Sequence, residues 1–418
     1  MTSPAFIPFA LPDLTSAELD AVTDVLRSRW ITTGPRAKEF EARFGAAVEA
    51  AHCVAVSSCT AALHLALEAA RVRPADEVIV PTMTFAATAE VVRYLGAVPV
   101  LVDVRASDHN VDVAAIERAI TPRTRAIVPV HFGGVPADMD EIVALARSRD
   151  LPVVADAAHA FPCRYKGRNV GTLADVTCFS FYATKTITTG EGGAVVTGSA
   201  GWAERMRLMS LHGISHDAWK RYTAEGSWYY EIVAPGFKYN LGDIAAALGL
   251  AQLARAEAMC ARREAIARRY DDAFREDEAI ELLTCPADRT NAHHLYVIKL
   301  VPPVDRNRFI EELRARGIGA SVHFIPLHEH PYYRDTYGYL PESFPVAHDA
   351  YTRSISLPIY SAMTDAQVDR VIDTVLELSG AQRRRASFGR SDEARAPEVR
   401  ASGAVRDAAG AAVPVLRR

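Results

Sequence analysis

Between residues 54 and 156 the chain repeats one unit: a short apolar, β-prone run followed by a helical stretch. The runs fall at 54–56, 78–80, 98–104, 126–130 and 153–155, and helical stretches at 61–70, 86–95, 113–120 and 139–147 separate them. Runs of Val, Ile and Leu without polar alternation are buried on both faces, and strands that alternate with helices pair in parallel. The expected fold is therefore α/β, a mixed, mostly parallel sheet flanked by helices. In such sheets ligands bind beyond the carboxyl ends of the strands. That rule directs attention to four loops, 57–60, 81–85, 131–134 and 156–159.

Beside them lies a second kind of unit. A β-prone run at 176–181 leads to Lys185, a threonine-rich turn and Gly190, Gly192 and Gly193, then a second β-prone run at 194–197. Lysines sit mostly on exposed surfaces. A buried one loses basicity to desolvation and becomes a nucleophile able to form a Schiff base with a carbonyl. The plain alternative is a hairpin whose lysine reaches solvent.

The loops decide between the two. Ser58, Cys59 and Thr60 stand at a strand-to-helix turn, which offers backbone N–H groups and hydroxyls to a phosphate, although Ser and Thr there also serve as ordinary helix caps. Phe85 can cover an aromatic ring. Asp156 closes a buried strand, where an acid needs a partner. A protonated pyridine nitrogen is such a partner, and it turns the ring into an electron sink. Together a capped helix start, a strand-end acid and a strand-flanked lysine specify pyridoxal 5'-phosphate (PLP).

Length and composition set the frame. The 418 residues suit one large and one smaller domain: 1–245 for the large domain with an N-terminal helical segment, 246–380 for a long helix and a C-terminal α+β domain. The tail, 381–418, has nine arginines against four acids, so the net charge of -4 leaves about -9 on the body. An acidic body argues against a nucleic-acid partner, and the tail's composition predicts disorder. No run reaches the roughly 18 apolar residues of a membrane span, and the first residues lack the pattern of a signal peptide. Six scattered cysteines without a C-x-x-C pair suit reduced thiols. The expected setting is cytoplasmic, without membrane or metal. Helices are expected at 15–28, 38–48, 203–211, 243–275 (with a break), 306–316 and 365–378, strands at 295–300 and 320–323, and an ordered loop at 215–240.

A set of collinear motifs carries a resemblance. These are Trp30-Ile-Thr-Thr-Gly-Pro35, Ser57-Ser-Cys-Thr-Ala-Ala-Leu63, Asp76-Glu-Val-Ile-Val-Pro81, Asp156-Ala-Ala-His-Ala160, the lysine segment, His212-Gly-Ile214, Gly236-Phe-Lys-Tyr-Asn-Leu-Gly-Asp243 and Val322-His-Phe-Ile-Pro326. In these the chain resembles, from about residue 9 to 378, the DegT-type (DnrJ/StrS) sugar aminotransferases of PLP fold type I. Within them it looks like the type that forms UDP-4-amino-4-deoxy-arabinose.

The resemblance implies roles. Lys185 would be the Schiff-base lysine and proton shuttle, Asp156 the partner of the ring nitrogen, and His159 a neighbour of the ring where many relatives have glutamine. Phe85 would stack on the ring. Ser58, Cys59, Thr60 and Ser180 would hold the phosphate, Cys59 through its backbone where many relatives have glycine. Lys238 or Asn240 would reach the phosphate of a second subunit, which makes the site a shared one in a homodimer. Phe9, Trp30, Ile31, Thr32, Thr33, Gly34, His323 and His328 would line the sugar side, with Arg29, Lys220 and Arg221 as basic groups for a pyrophosphate. The implied reaction moves an amino group from an amino acid, glutamate, to a keto group of a nucleotide-linked 4-keto-6-deoxy sugar. A ketocyclitol of the aminoglycoside type is the close alternative. Lys185 speaks against the family's dehydratases, which carry histidine there, and Lys185 with Asp156 speaks against an inactive sensor.

Overall fold

The structure, a computed structural model, describes residues 5–214 and 229–393. In chain order the first half contains α1 (Ser16–Ser28), α2 (Pro35–Ala47), β1 (His52–Val56), α3 (Cys59–Ala69), β2 (Glu77–Pro81), α4 (Ala87–Tyr94), β3 (Val98–Val102), α5 (Val113–Ala119), β4 (Thr124–Ile127), α6 (Met139–Arg147) and β5 (Val154–Asp156). A two-residue hairpin follows, β6 (Arg164–Tyr165) with β7 (Arg168–Asn169), then β8 (Val176–Ser180), β9 (Gly193–Thr197) and α7 (Ala200–Ser210). The second half holds α8 (Asp243–Phe274), β10 (Ile280–Leu282), β11 (Tyr296–Leu300), α9 (Arg306–Ala315), α10 (Pro331–Tyr337), α11 (Pro345–Arg353), β12 (Ser354–Leu357) and α12 (Asp365–Glu393).

β3, β2 and β4 pair in parallel, as do β5 and β8. Parallel bridges at Ile127–Val153 and Val130–Asp156 join the two groups. β9 runs antiparallel to both β8 and β1. The result is one seven-stranded layer, β3-β2-β4-β5-β8-β9-β1, with β9 alone reversed. β1 and β2 are buried almost throughout because helices cover both faces. The helix nearest the site, α3, is itself buried nearly all round, which is why it is built of Ala and Leu.

A second, antiparallel sheet, β10-β11-β12, packs with α9, α12 and the end of α8 around Tyr270, Phe274, Ile298 and Phe309. The N-terminal segment, expected with the large domain, pairs here at Ile7 with Ile318, exchanging hydrogen bonds with Gly317 and Gly319 of 2.8 Å each. The strand expected at 320–323 is a single bridge, Ser321 to Ser356. The strand that fills the place is β12, whose Ser-Ile-Ser-Leu sequence is too short and mixed to announce itself. The long helix α8 has no break. By length and composition it passes as a membrane span, but it packs against α1, α2 and α12.

The last helix runs on to Glu393, past the expected end at 378 and into the stretch expected to be disordered. Gln382, 6% exposed, accepts from the Asp305 amide, so the early tail is part of the folded body. The rest of the predicted tail, most of the predicted loop at 215–240, Lys220 and Arg221 lie outside the described residues.

Candidate active site

The site forms where β1, β5 and β8 end. Ser58 caps α3, its Oγ accepting from the Ala61 amide at 3.0 Å. The hydroxyl expected to hold a ligand is thus engaged in capping. The amides of Cys59 and Thr60, in the first turn, have no carbonyl within the helix to meet, as at any helix start. Gly193 opposes Ser180 in the β8–β9 ladder and presses on this turn: a Cβ there would meet Ser58 C at 2.5 Å and Cys59 N at 2.6 Å. Ser180 Oγ accepts from the Tyr182 amide at 3.3 Å. The helix start, Ser180 and the glycine therefore form one cradle suited to a phosphate.

Asp156, 6% exposed, ends β5. Its carboxylate accepts from Thr88 Oγ1 at 2.8 Å and from the Ala158 amide at 3.0 Å, and the Cys59 thiol approaches at 3.9 Å. Burial pushes its pKa up, while these donors and the Lys185 charge oppose the shift. A buried acid so poorly compensated is suited to meet a positive group.

Lys185 sits in the β8–β9 connection, half-buried. Burial pulls its pKa down to about 8; Cys59 and Asp156 oppose this and the Arg263 charge adds to it. Its loop is held from behind by Gln252 of α8. The Gln252 Oε1 accepts from the Thr188 amide at 3.3 Å, and its Nε2 donates to Glu18 Oε1 at 2.8 Å and to the Asp13 carbonyl at 2.9 Å.

Histidines and aromatic rings close the other side. His159 is 8% exposed, and its Nδ1 accepts from the Gly133 amide at 3.3 Å. Its ring lies 4.3 Å from that of His294 and stacks 5.9 Å from Phe324. His294 Nε2 is 3.4 Å from Lys185 Nζ. Phe85 is 63% exposed, with Phe324 6.2 Å away. Phe9 stacks on His323 at 5.2 Å, and His323 Nδ1 pairs with Ser356 Oγ at 2.9 Å.

One expected placement differs. His328 is 1% exposed; its ring packs against Phe344 and its Nδ1 bonds Thr82 Oγ1 at 2.8 Å, so it is a packing residue behind β2. The loop Trp30, Ile31, Thr32, Thr33 and Gly34 leads into α2, with Gly34 at its N-cap. It joins Asn240, whose Nδ2 donates to Thr33 Oγ1 at 2.6 Å, while Lys238 Nζ donates to Asn240 Oδ1. Asn240 bridges Val56 at the end of β1, so this second cluster abuts the phosphate cradle. Gly34, Arg36 and Ala37 donate their amides to Asp243 at 2.8, 3.1 and 3.0 Å, so the first residue of α8 caps α2.

His294, Thr88 and Gln252 were not singled out by the sequence. Each lies far along the chain from its partner, and only the fold brings them together. Among the described residues no group of His, Cys, Asp and Glu could hold a metal ion.

The cradle, the buried acid and the low-pKa lysine fit PLP, and comparison with known proteins agrees. Residues 12–376 match the model of the DegT/DnrJ/EryC1/StrS aminotransferase family. The spore coat polysaccharide biosynthesis protein SpsC of Bacillus subtilis is 46% identical over 377 residues, 89% of this chain and 97% of that protein. A candidate sugar aminotransferase from Streptococcus pneumoniae, Spr1654, solved in its PLP form, superposes with a TM-score of 0.84 at 36% identity, over 90% of this chain and 99% of its own. PseC of Helicobacter pylori, an aminotransferase involved in the biosynthesis of pseudoaminic acid, gives 0.84 at 30% identity, over 90% of this chain and all of its own. With the site and these likenesses in agreement, the chain belongs to the DegT/DnrJ/EryC1/StrS family and is a PLP-dependent aminotransferase of fold type I.

Proposed function

We propose that this aminotransferase moves an amino group from glutamate to the keto group of a nucleotide-linked sugar of the 4-keto-6-deoxy type. The observation that carries it is Lys185, its pKa lowered by burial, within electrostatic reach of buried Asp156 and of His323, on which Phe9 stacks. The sugar follows from the relatives, whose names tie them to coat polysaccharide, sugar amination and pseudoaminic acid.

The amides of Cys59 and Thr60 with Ser180 hold the cofactor's phosphate, Asp156 its ring nitrogen, and Phe85 and His159 its ring. The bound cofactor supplies an aldehyde carbon and an electron-withdrawing ring. Lys185 provides the amine that holds that carbon. Once the donor displaces it, the free Nζ moves the proton, first as base and then as acid. Asp156 keeps the ring electron-poor. His323 and Phe9 rim the space for the substrate. Lys238 and Asn240 serve the phosphate of a second subunit in a homodimer. The six unpaired cysteines suit a cytoplasmic setting.

The test is a screen of nucleoside-diphosphate 4-ketosugars and free ketocyclitols with glutamate or glutamine, read by mass spectrometry. Aminated nucleotide sugar with consumption of glutamate is the expected product. Turnover of ketocyclitols alone refutes the sugar assignment. Lys185→Ala should lose the visible absorbance of the bound cofactor and all turnover; wild-type turnover in that variant refutes the site.

A further inference from the structure

His294 stands two residues before β11, on the far side of Lys185 from Asp156 in sequence, yet its Nε2 is 3.4 Å from Nζ. Burial, with the charge of Lys185 adding to it, holds its pKa well below the ordinary range, so the ring is neutral and carries one proton. Its Nδ1 is buried and has no partner among the described residues. A buried N–H left without an acceptor is rarer than a bare acceptor. The proton therefore belongs on Nε2, the nitrogen that faces the lysine.

An imidazole N–H and an ammonium group can both only donate. The contact is a hydrogen bond only when Lys185 is an uncharged amine with its lone pair turned toward His294. The surroundings agree. Arg263, 3% exposed, is a fixed cation whose Nη1 donates to the Ile359 and His293 carbonyls at 2.8 and 3.3 Å, and its charge acts on both His294 and Lys185. His159 and His323 are neutral rings whose pKa values burial and the Lys185 charge hold down. Cys59 and Asp156 are the groups that favour the ammonium form.

We propose that His294 is a positioning residue for Lys185, donating its Nε2–H to the lone pair of the free amine and so selecting its uncharged form and direction. This rests on Lys185 being the cofactor lysine. When Nζ has taken up a proton, the same contact becomes donor against donor, which helps the proton leave. His294 exchanges no proton itself.

The test uses cofactor-free full-length protein. PLP is added across pH 6 to 10 and the rate of growth of the visible band is followed; the rate tracks the fraction of uncharged Lys185. The wild-type midpoint is expected near pH 8. His294→Phe keeps a ring and removes the donor, and should raise the midpoint by about 0.5–1 unit. It should lower kcat about tenfold with KM for the amino acid unchanged. His294→Gln, whose amide can donate, should restore the wild-type midpoint. A folded His294→Phe variant with the wild-type midpoint overturns the proposal. So does NMR of wild-type protein carrying 15N-histidine if it shows the His294 proton on Nδ1, a readout that needs no variant to fold. Lys185→Ala should form no band at any pH; a band there means the lysine assignment has failed, not the role of His294.

Discussion

Replacing Gly193 with alanine tests the phosphate cradle at its tightest point. The new Cβ would lie 2.5 Å from Ser58 C, 2.6 Å from Cys59 N and 2.6 Å from Ser58 O. Ordinary contact between carbon atoms begins near 3.5 Å, so the two segments must part by about 1 Å. All three obstacles are backbone, and no flexible side chain can swing away. Overpacking of this kind costs about 1–3 kcal/mol of stability. The larger effect should be on the ligand. Moving the first turn of α3 by about 1 Å breaks one or two charge-assisted hydrogen bonds to phosphate, each worth roughly 1.5–3 kcal/mol, so cofactor affinity should fall by about 10- to 20,000-fold. Spectroscopic titration of PLP into cofactor-free protein measures it. Gly198→Ala, where a Cβ would meet nothing within 4 Å, is the matched control and should bind like the wild type. If Gly193→Ala also titrates like the wild type, the start of α3 is not where the phosphate binds.

Other substitutions probe the supports. Asp156→Asn should retain the fold, judged by circular dichroism, and lose on the order of 100-fold in turnover, because the ring nitrogen loses its counter-charge; unchanged kcat would exclude that pairing. Asp243→Ala removes the acceptor of three amides at the start of α2, those of Gly34, Arg36 and Ala37, at a residue 1% exposed and should cost about 2–4 kcal/mol in a denaturant titration, with Asn costing less. Glu18 has a pKa of about 2: burial alone would raise it, but hydrogen bonds from Thr15, Arg255 and Gln252 bring it down. A depressed carboxylate stabilises the fold above the unfolded value near 4.5 and loses that contribution as pH falls toward 2. The gap in stability between wild type and Glu18→Gln should therefore be roughly 1–3 kcal/mol at pH 6 and shrink by pH 3; a gap that does not change with pH refutes the assignment.

The first five strands could be read from sequence because each is a run of residues that only a two-faced burial explains. Lys185 and Asp156 could be read because a charged residue inside such a pattern demands a reason. The reversal of β9 could be anticipated from the short, glycine-rich connection to β8, but the order of the seven strands could not, since pairing across the sheet leaves no local trace. The same holds for the site. His294 touches Lys185 across 109 residues of chain, and a histidine beside a strand is usually only packing. His328 shows the reverse: its motif pointed to the substrate side, yet a hydrogen bond to Thr82 turns it inward. The tail misled in its first part because its composition is that of a solvated segment, whereas Gln382 and Arg383 anchor the extended α12 to Asp305 and Glu278.

The single amide of Gln252 serves α1, the N-terminal segment and the lysine loop at once. Glutamate there would set a second carboxylate against Glu18, and methionine would strand the Thr188 amide. This position is therefore closed to the ordinary drift of a helix face. Where evolution does change it, the exchange should arrive together with one at position 18, so that the two residues vary as a pair across descendants of this chain.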